Sequence, residues 1–357
     1  MQYLIGLGVL VLVVFVGMQA FTSNSTNDTD GLTIAVSIYP LQFAAERVLG
    51  DLGTVVNIGE GRDPHDVQLS VENTRTMLDA DLVVLQGAGL EPWGDDMEEQ
   101  LEAEDVPFFV AAEHLELREG GHHDEHGDEH DGEHEKDDHD EAHEHEHEDE
   151  HDGDMHEAGE EHGHDDEHEH EDEYGHEDEH GYDHGAFDPH TWLDPPLFSE
   201  TIEHLTEEIV ALDPENATTY EANAAELQAE LAALDTEFAT RLASCAVDEV
   251  IVSHDAYGYM ANRYGIEMHA IGGLSTQDMP SVTTLAELKE EAAEGVGAIL
   301  LEKNSVAAYG EALARDTGLQ TLSINPAAFD IPEGGDYVSV MRSNLDSLAT
   351  ALRCNEG

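Results

Sequence analysis

Short apolar runs alternate with stretches whose apolar positions recur at helical spacing. Leu32 to Ile38, Thr54 to Ile58, Asp81 to Gln86 and Phe108 to Ala111 read as strands, short and apolar enough to be buried in a parallel sheet. Gln42 to Leu49 has helical spacing, and Ser70 to Leu78 reads as a helix with Ser70 at its N-cap. Gly59 to Asp66 is the loop that follows the Thr54 to Ile58 strand. From Pro214 to Ala243 the chain runs without internal Pro or Gly, and Ala, Glu and Leu dominate, which predicts one long helix. A second series follows: strands at Glu249 to Ser253, Glu267 to Ile271, Ala298 to Leu301 and Gln320 to Ile324. Helices at Ala256 to Tyr264, Val282 to Ala293, Ala307 to Thr317 and Tyr337 to Leu352 alternate with them. The expected fold class is α/β: two lobes, each a mostly parallel sheet flanked by helices, joined by one long rigid helix.

One segment breaks the pattern. Residues 120–185 are almost entirely His, Asp, Glu and Gly, hold 18 of the chain's 24 His, and have little to bury, so a disordered insert is expected in the first lobe. The formal charge is −71, and 33 of the 83 acidic residues lie between Glu119 and Asp183. The remainder is acidic too, with 50 acids against 11 bases, which reads as a surface adapted to high salt. Such a field repels phosphate and excludes nucleic acid as a partner.

Leu4 to Phe21 is apolar and about as long as the ~20 residues that span a bilayer. Residues 1–21 are expected to be a signal peptide or a membrane anchor, and either puts the rest outside the cytoplasm, tethered at the cell surface or secreted. The expected organisation continues with a flexible stalk at 22–31, an N-terminal lobe at 32–213, the linking helix at 214–243 and a C-terminal lobe at 244–357. The two cysteines, Cys245 and Cys354, are expected to pair in an exported chain.

Three histidines outside the insert stand where ligands belong. His65 lies in Asp63-Pro64-His65-Asp66 after a strand, and His190 in Asp188-Pro189-His190-Thr191-Trp192. His254 ends the strand Val250-Ile251-Val252-Ser253. Open α/β sheets bind ligands beyond the carboxyl ends of their strands, and imidazole suits zinc. Each has an Asp within two residues that can orient its ring. His114, His204 and His269 lack such settings. Within the insert, His143, His145 and His147, with His162, His164, His168 and His170, have spacings that chelate zinc weakly and fail below about pH 6 to 6.5 as imidazole protonates.

Four segments taken together resemble the zinc- and manganese-binding solute-binding proteins of ABC importers. They are Gly61-Arg62-Asp63-Pro64-His65-Asp66, Phe187 to Pro195, Ser253 to Tyr259 and Arg263 to Ile266. Gly89-Leu90-Glu91-Pro92-Trp93 and the closing helix add to the likeness, which covers about Leu32 to Cys354 apart from the insert. The resemblance implies one metal held in the cleft between the lobes, with His65 and His190 from the first lobe and His254 from the second. A His at the third position, with a His-rich insert here, resembles the zinc branch rather than the manganese branch. The fourth position departs from the family: a segment that is often Leu-Asp-Pro is here Ile324-Asn325-Pro326. Water, Asn325 or Glu302 remain open for it.

The expected function is therefore a monomeric extracytoplasmic receptor that carries Zn2+ to an importer permease and its ATPase, and not an enzyme. The alternatives are a manganese receptor of the same kind, an extracellular zinc buffer or adhesin worked by the insert, and a zinc hydrolase built on three histidines.

Overall fold

The computed structural model describes residues 31–120, 187–303 and 306–355. The first sheet contains β1 (Leu32–Val36), β2 (Gly53–Asn57), β3 (Leu82–Leu85) and β4 (Phe108–Val110), in the order β2-β1-β3-β4. The second contains β5 (Glu249–Val252), β6 (Glu267–Ala270), β7 (Ile299–Leu301) and β8 (Thr321–Ser323), in the order β6-β5-β7-β8. Every pairing within both sheets is parallel. The lobes therefore share one topology, and the strand order in each reverses between two central strands. Those switch points, β1/β3 and β5/β7, open crevices at the carboxyl edges.

The helices of the first lobe are α1 (Tyr39–Leu49), α2 (Val71–Leu78), α3 (Gly94–Ala103) and α4 (Pro195–Leu212). Helix α5 (Ala217–Leu242) runs between the lobes, and α6 (Gly258–Tyr264), α7 (Val282–Glu294), α8 (Ala307–Thr317) and α9 (Tyr337–Ala351) belong to the second. Ser70 caps α2 as the sequence predicts, in a reciprocal box with Asn73. Two helices escape the sequence reading. Helix α3 is largely acidic, with only Met97 and Leu101 as buried large side chains. Helix α4 does carry a start signal: Asp194 accepts from the Leu197 amide, prolines open the helix, and Phe198, Ile202, Leu205 and Ile209 recur on one buried face.

Helix α5 is 26 residues long, about 39 Å at 1.5 Å per residue. It packs on α1 and α4 at one end and on α6 and α9 at the other. Its buried stripe of Leu227, Leu231, Leu234, Phe238 and Leu242 joins a single apolar core that also holds Ile34 and Val84 of the first sheet and Val250 and Leu300 of the second. Burying each large apolar side chain is worth about 1.5–3 kcal/mol, so separating the lobes would break a continuous core rather than open a wet hinge.

The backbone bridge Glu119↔Phe187 brings together the two sides of the 121–186 segment. The Sγ atoms of Cys245 and Cys354 lie 1.97 Å apart. The insert histidines singled out above and residues 1–30 lie outside the described residues. Among the described residues, no helix is long and apolar enough to cross a membrane.

Candidate metal centre

His65 sits in a single 3₁₀ turn, Pro64–Asp66, in the loop after β2. Proline sets the backbone of that turn, and Asp63 caps it by accepting from the His65 amide at 3.1 Å. The other Asp63 oxygen accepts from the Thr276 hydroxyl of the second lobe at 2.8 Å. Gln277 beside it donates to Asp66. A loop of the second lobe thus grips the turn that carries His65.

His190 is buried in the Phe187–Trp192 segment. One Asp188 oxygen accepts from the His190 amide at 3.0 Å and lies 2.9 Å from its ring Nδ1. Gln86, just past β3, holds the segment by donating to the carbonyl of Pro189 and the hydroxyl of Thr191. Trp192 donates to the Pro326 carbonyl at 2.7 Å, and Tyr337 donates to the Trp192 carbonyl, so this segment too is tied to the second lobe.

His254 follows β5, and Glu302 follows β7, at the switch point of the second sheet. Glu302 lies 2.8 Å from His254 Nδ1, and the same oxygen accepts from the Tyr257 hydroxyl at 2.7 Å. The structure thus assigns ring orientation differently from the nearest-Asp expectation. Asp188 does orient His190, but Glu302 rather than Asp255 orients His254, and Asp63 grips the backbone of His65 rather than its ring.

The three rings converge. Their ligand nitrogens lie within 4.8 Å of one another. The Nε2 atoms of His65 and His190 are 3.4 Å apart. Bonds of 2.0–2.1 Å to a tetrahedral zinc put neighbouring nitrogens about 3.3 Å apart. With Nδ1 of His190 and His254 engaged by carboxylates, Nε2 is the atom each turns to the shared space.

The electrostatics favour neutral imidazoles at two positions. Burial, then repulsion from charge on His190 and His254, pushes the His65 pKa down to about 2. Burial also pushes His190 well below its ordinary value. Burial opposes a charge on His254 as well, but the Glu302 carboxylate outweighs it and the pKa is raised. Burial pushes the Asp188 carboxyl up to about 7, against the His190 amide and the Arg118 guanidinium.

Both protein side chains left open for a fourth ligand hold hydrogen bonds of their own. Asn325 donates to the Asp330 carbonyl and accepts from the Ala327 amide, both within its own loop. Glu302 sits behind His254, bonded to its ring and to Tyr257. His114 and His204 stack on each other at 5.0 Å, and His269 lies among Glu249, Glu267 and Glu291 at the edge of the second sheet. Sequence reasoning misses Tyr257, Gln86, Thr276 and Arg118. Tyr257 is inside a quoted motif, whereas the other three act only through neighbours distant in sequence.

The likeness to known proteins is extensive. The family profile described as zinc-uptake complex component A, periplasmic, matches residues 34–351. The high-affinity zinc uptake system protein ZnuA of Bacillus subtilis is 28% identical, over 96% of this chain and 94% of that protein. The zinc-binding lipoprotein AdcA of Streptococcus pneumoniae is 28% identical over 91% of this chain, which spans only 57% of that longer relative. Among solved structures, Zn(II)-bound AdcA of S. pneumoniae superposes with TM-score 0.66 and 26% identity, over 92% of this chain and 59% of that one. The metal-dependent lipoprotein YcdH of B. subtilis superposes with TM-score 0.64 and 26% identity, over 90% of this chain and 99% of that one. With its matching fold, its convergent histidines and a profile match over most of its length, the chain belongs to the family of the periplasmic zinc-uptake complex component A.

Proposed function

We propose that this protein captures zinc outside the cytoplasm and delivers it to the permease and ATPase of a metal ABC importer. The observation that carries this reading is the cluster of three imidazoles whose ligand nitrogens lie within 4.8 Å of one another, with the Nε2 atoms of His65 and His190 3.4 Å apart and these two rings held neutral by burial. Neutral nitrogen donors favour zinc over manganese, which prefers carboxylate and water oxygens. His65, His190 and His254 hold the ion, and the remaining coordination position is left to water. The acidic chain draws a dication toward the cleft, and no covalent step is needed. On the same reading, residues 1–21 export or anchor the chain, 22–31 form a stalk, and the protein acts as a monomer. The lobes divide at the long helix, as 32–213, 214–243 and 244–357. The insert histidines gather zinc weakly near the surface, and the low Lys and Arg content suits high salt.

Calorimetric titration of the full chain with zinc and with manganese, beside a deletion of residues 120–185, tests the reading. One tight, zinc-preferring site should survive the deletion. If all binding is weak and vanishes with the segment, the protein is a surface metal buffer instead.

The pKa pattern makes a second prediction. Zinc needs Nε2 deprotonated. His65 and His190 hold no competing proton near neutrality, whereas His254, with its raised pKa, and Asp188, at about 7, do. Affinity should therefore fall as pH drops through neutrality, and zinc capture at pH 6 should release between about one and two protons. Three ordinary imidazoles would approach about three at lower pH. Calorimetry in buffers of different ionisation enthalpy measures the number directly.

A further inference from the structure

Asp188 fixes the ring and amide of His190, and three further bonds fix Asp188. Its amide donates to the Arg118 carbonyl at 3.0 Å. Its carbonyl accepts from the Tyr259 hydroxyl at 2.7 Å. One carboxylate oxygen serves His190, and the other faces the Arg118 guanidinium at 3.5 Å. The Asp188 side chain is 3% exposed, so its charge depends on that one cation and on the donors around it.

Arg118 is placed in turn by the second lobe. Its amide donates to the Tyr259 hydroxyl at 3.0 Å, and its guanidinium lies over the Tyr259 ring, 5.6 Å from the centroid. It also fills the space beside Gly258. A Cβ there would come within 1.5 Å of the guanidinium nitrogen and 2.9 Å of the Asp188 carboxylate. Gly258 and Tyr259 open α6, and Arg263 further along α6 clasps both oxygens of Asp194, the cap of α4. Displacing α6 from the first lobe would therefore remove the Tyr259 hydroxyl and the Gly258 seat together.

We propose that Arg118 is a positioning residue that, seated on Gly258 and Tyr259 of α6, holds Asp188 and so keeps His190 ligating only while α6 stays packed against the first lobe. The arrangement rests on His190 being a zinc ligand, as proposed above, and adds a release device to it. A partner that shifts α6 loosens His190 without touching the metal.

The test measures zinc dissociation from the full chain into a chelator trap, reading the slow phase of the tight site. Arg118→Met and Tyr259→Phe should each release zinc about 10–100-fold faster, the usual cost of losing a group that orients a ligand. Gly258→Ala, which keeps Arg118 but takes its seat, should accelerate release in the same direction. In an Asp188→Asn background, Arg118→Met should add less than about two-fold, because coupled residues are not additive. Release rates of Arg118→Met and Tyr259→Phe within about two-fold of the parent would overturn the proposal, as would an Arg118→Met effect undiminished in that background. His190→Ala separates the two readings. If the parent binds tightly and His190→Ala abolishes the slow phase while the Arg118 variants leave it unchanged, only the positioning role falls. If the parent has no slow phase, the receptor reading falls and the positioning role with it.

Discussion

Replacing His254 by Ala should abolish the tight zinc site while leaving the fold intact. Apparent zinc binding energies of about 10–16 kcal/mol, spread over about four ligands, put roughly 3 kcal/mol or more on each, so affinity should fall at least about 100-fold. The loss is sharpened by place. His254 comes from the second lobe and the other two ligands from the first, so without it the ion no longer bridges the cleft. The variant also leaves the buried Glu302 without its imidazole partner, although Tyr257 still donates to it. His65→Ala, at the more exposed ligand, should weaken binding to a similar degree without opening a buried hole. Competition against a chelator of known affinity reads both. Retained tight binding in either variant would place the zinc elsewhere and sink the three-histidine site.

The second large effect concerns the bond proposed between Cys245 and Cys354. Peptide mapping without reductant should recover the two in one linked fragment. The residues lie 109 apart in sequence, and a cross-link closing a loop of about 100 residues removes chain entropy worth about 4.7 kcal/mol from the unfolded state at 25 °C. Cys245 follows α5 and Cys354 follows α9, and the amides of Ala246 and Val247 already donate to the Leu352 carbonyl. The native ends of the second lobe are therefore held together with or without the sulfurs, and the bond acts mainly on the unfolded chain. The Cys245→Ser/Cys354→Ser double variant should lose roughly 10–20 °C of Tm for a fold of this size. Its zinc affinity at 25 °C should match the parent, because His254, with His65 and His190 clustered on it, lies at the opposite, carboxyl edge of β5. A melting temperature equal to the parent's would show that the bond is absent or carries no stability.

Much of this was legible because local chemistry and global placement agree at the motif positions. Leu82 to Leu85 and Val250 to Val252 are apolar throughout and fully buried, so their runs alone announce central parallel strands. Asp63-Pro64-His65 encodes its own turn, since Pro sets the backbone and Asp caps it within three residues. The same holds for the Asp188 bond to His190, two residues away. Helix α4 was legible in principle, from Asp194, its prolines and its buried stripe, whereas α3 offers few apolar positions to read.

The three clustered histidines and the two-lobed α/β architecture are legible from sequence alone, because strand runs, turn chemistry and residue type are local properties. What orients His254, and what holds the aspartate beside His190, was decided only by the tertiary structure. Glu302 reaches His254 across 48 residues because β5 and β7 are neighbours in the sheet. Arg118 reaches Asp188 because the Glu119↔Phe187 bridge brings both sides of the intervening segment together. Neither adjacency has a spacing that the chain records. Parallel strand order and lobe packing arise from burying one shared core, and a contact made that way has no signature until the core is formed.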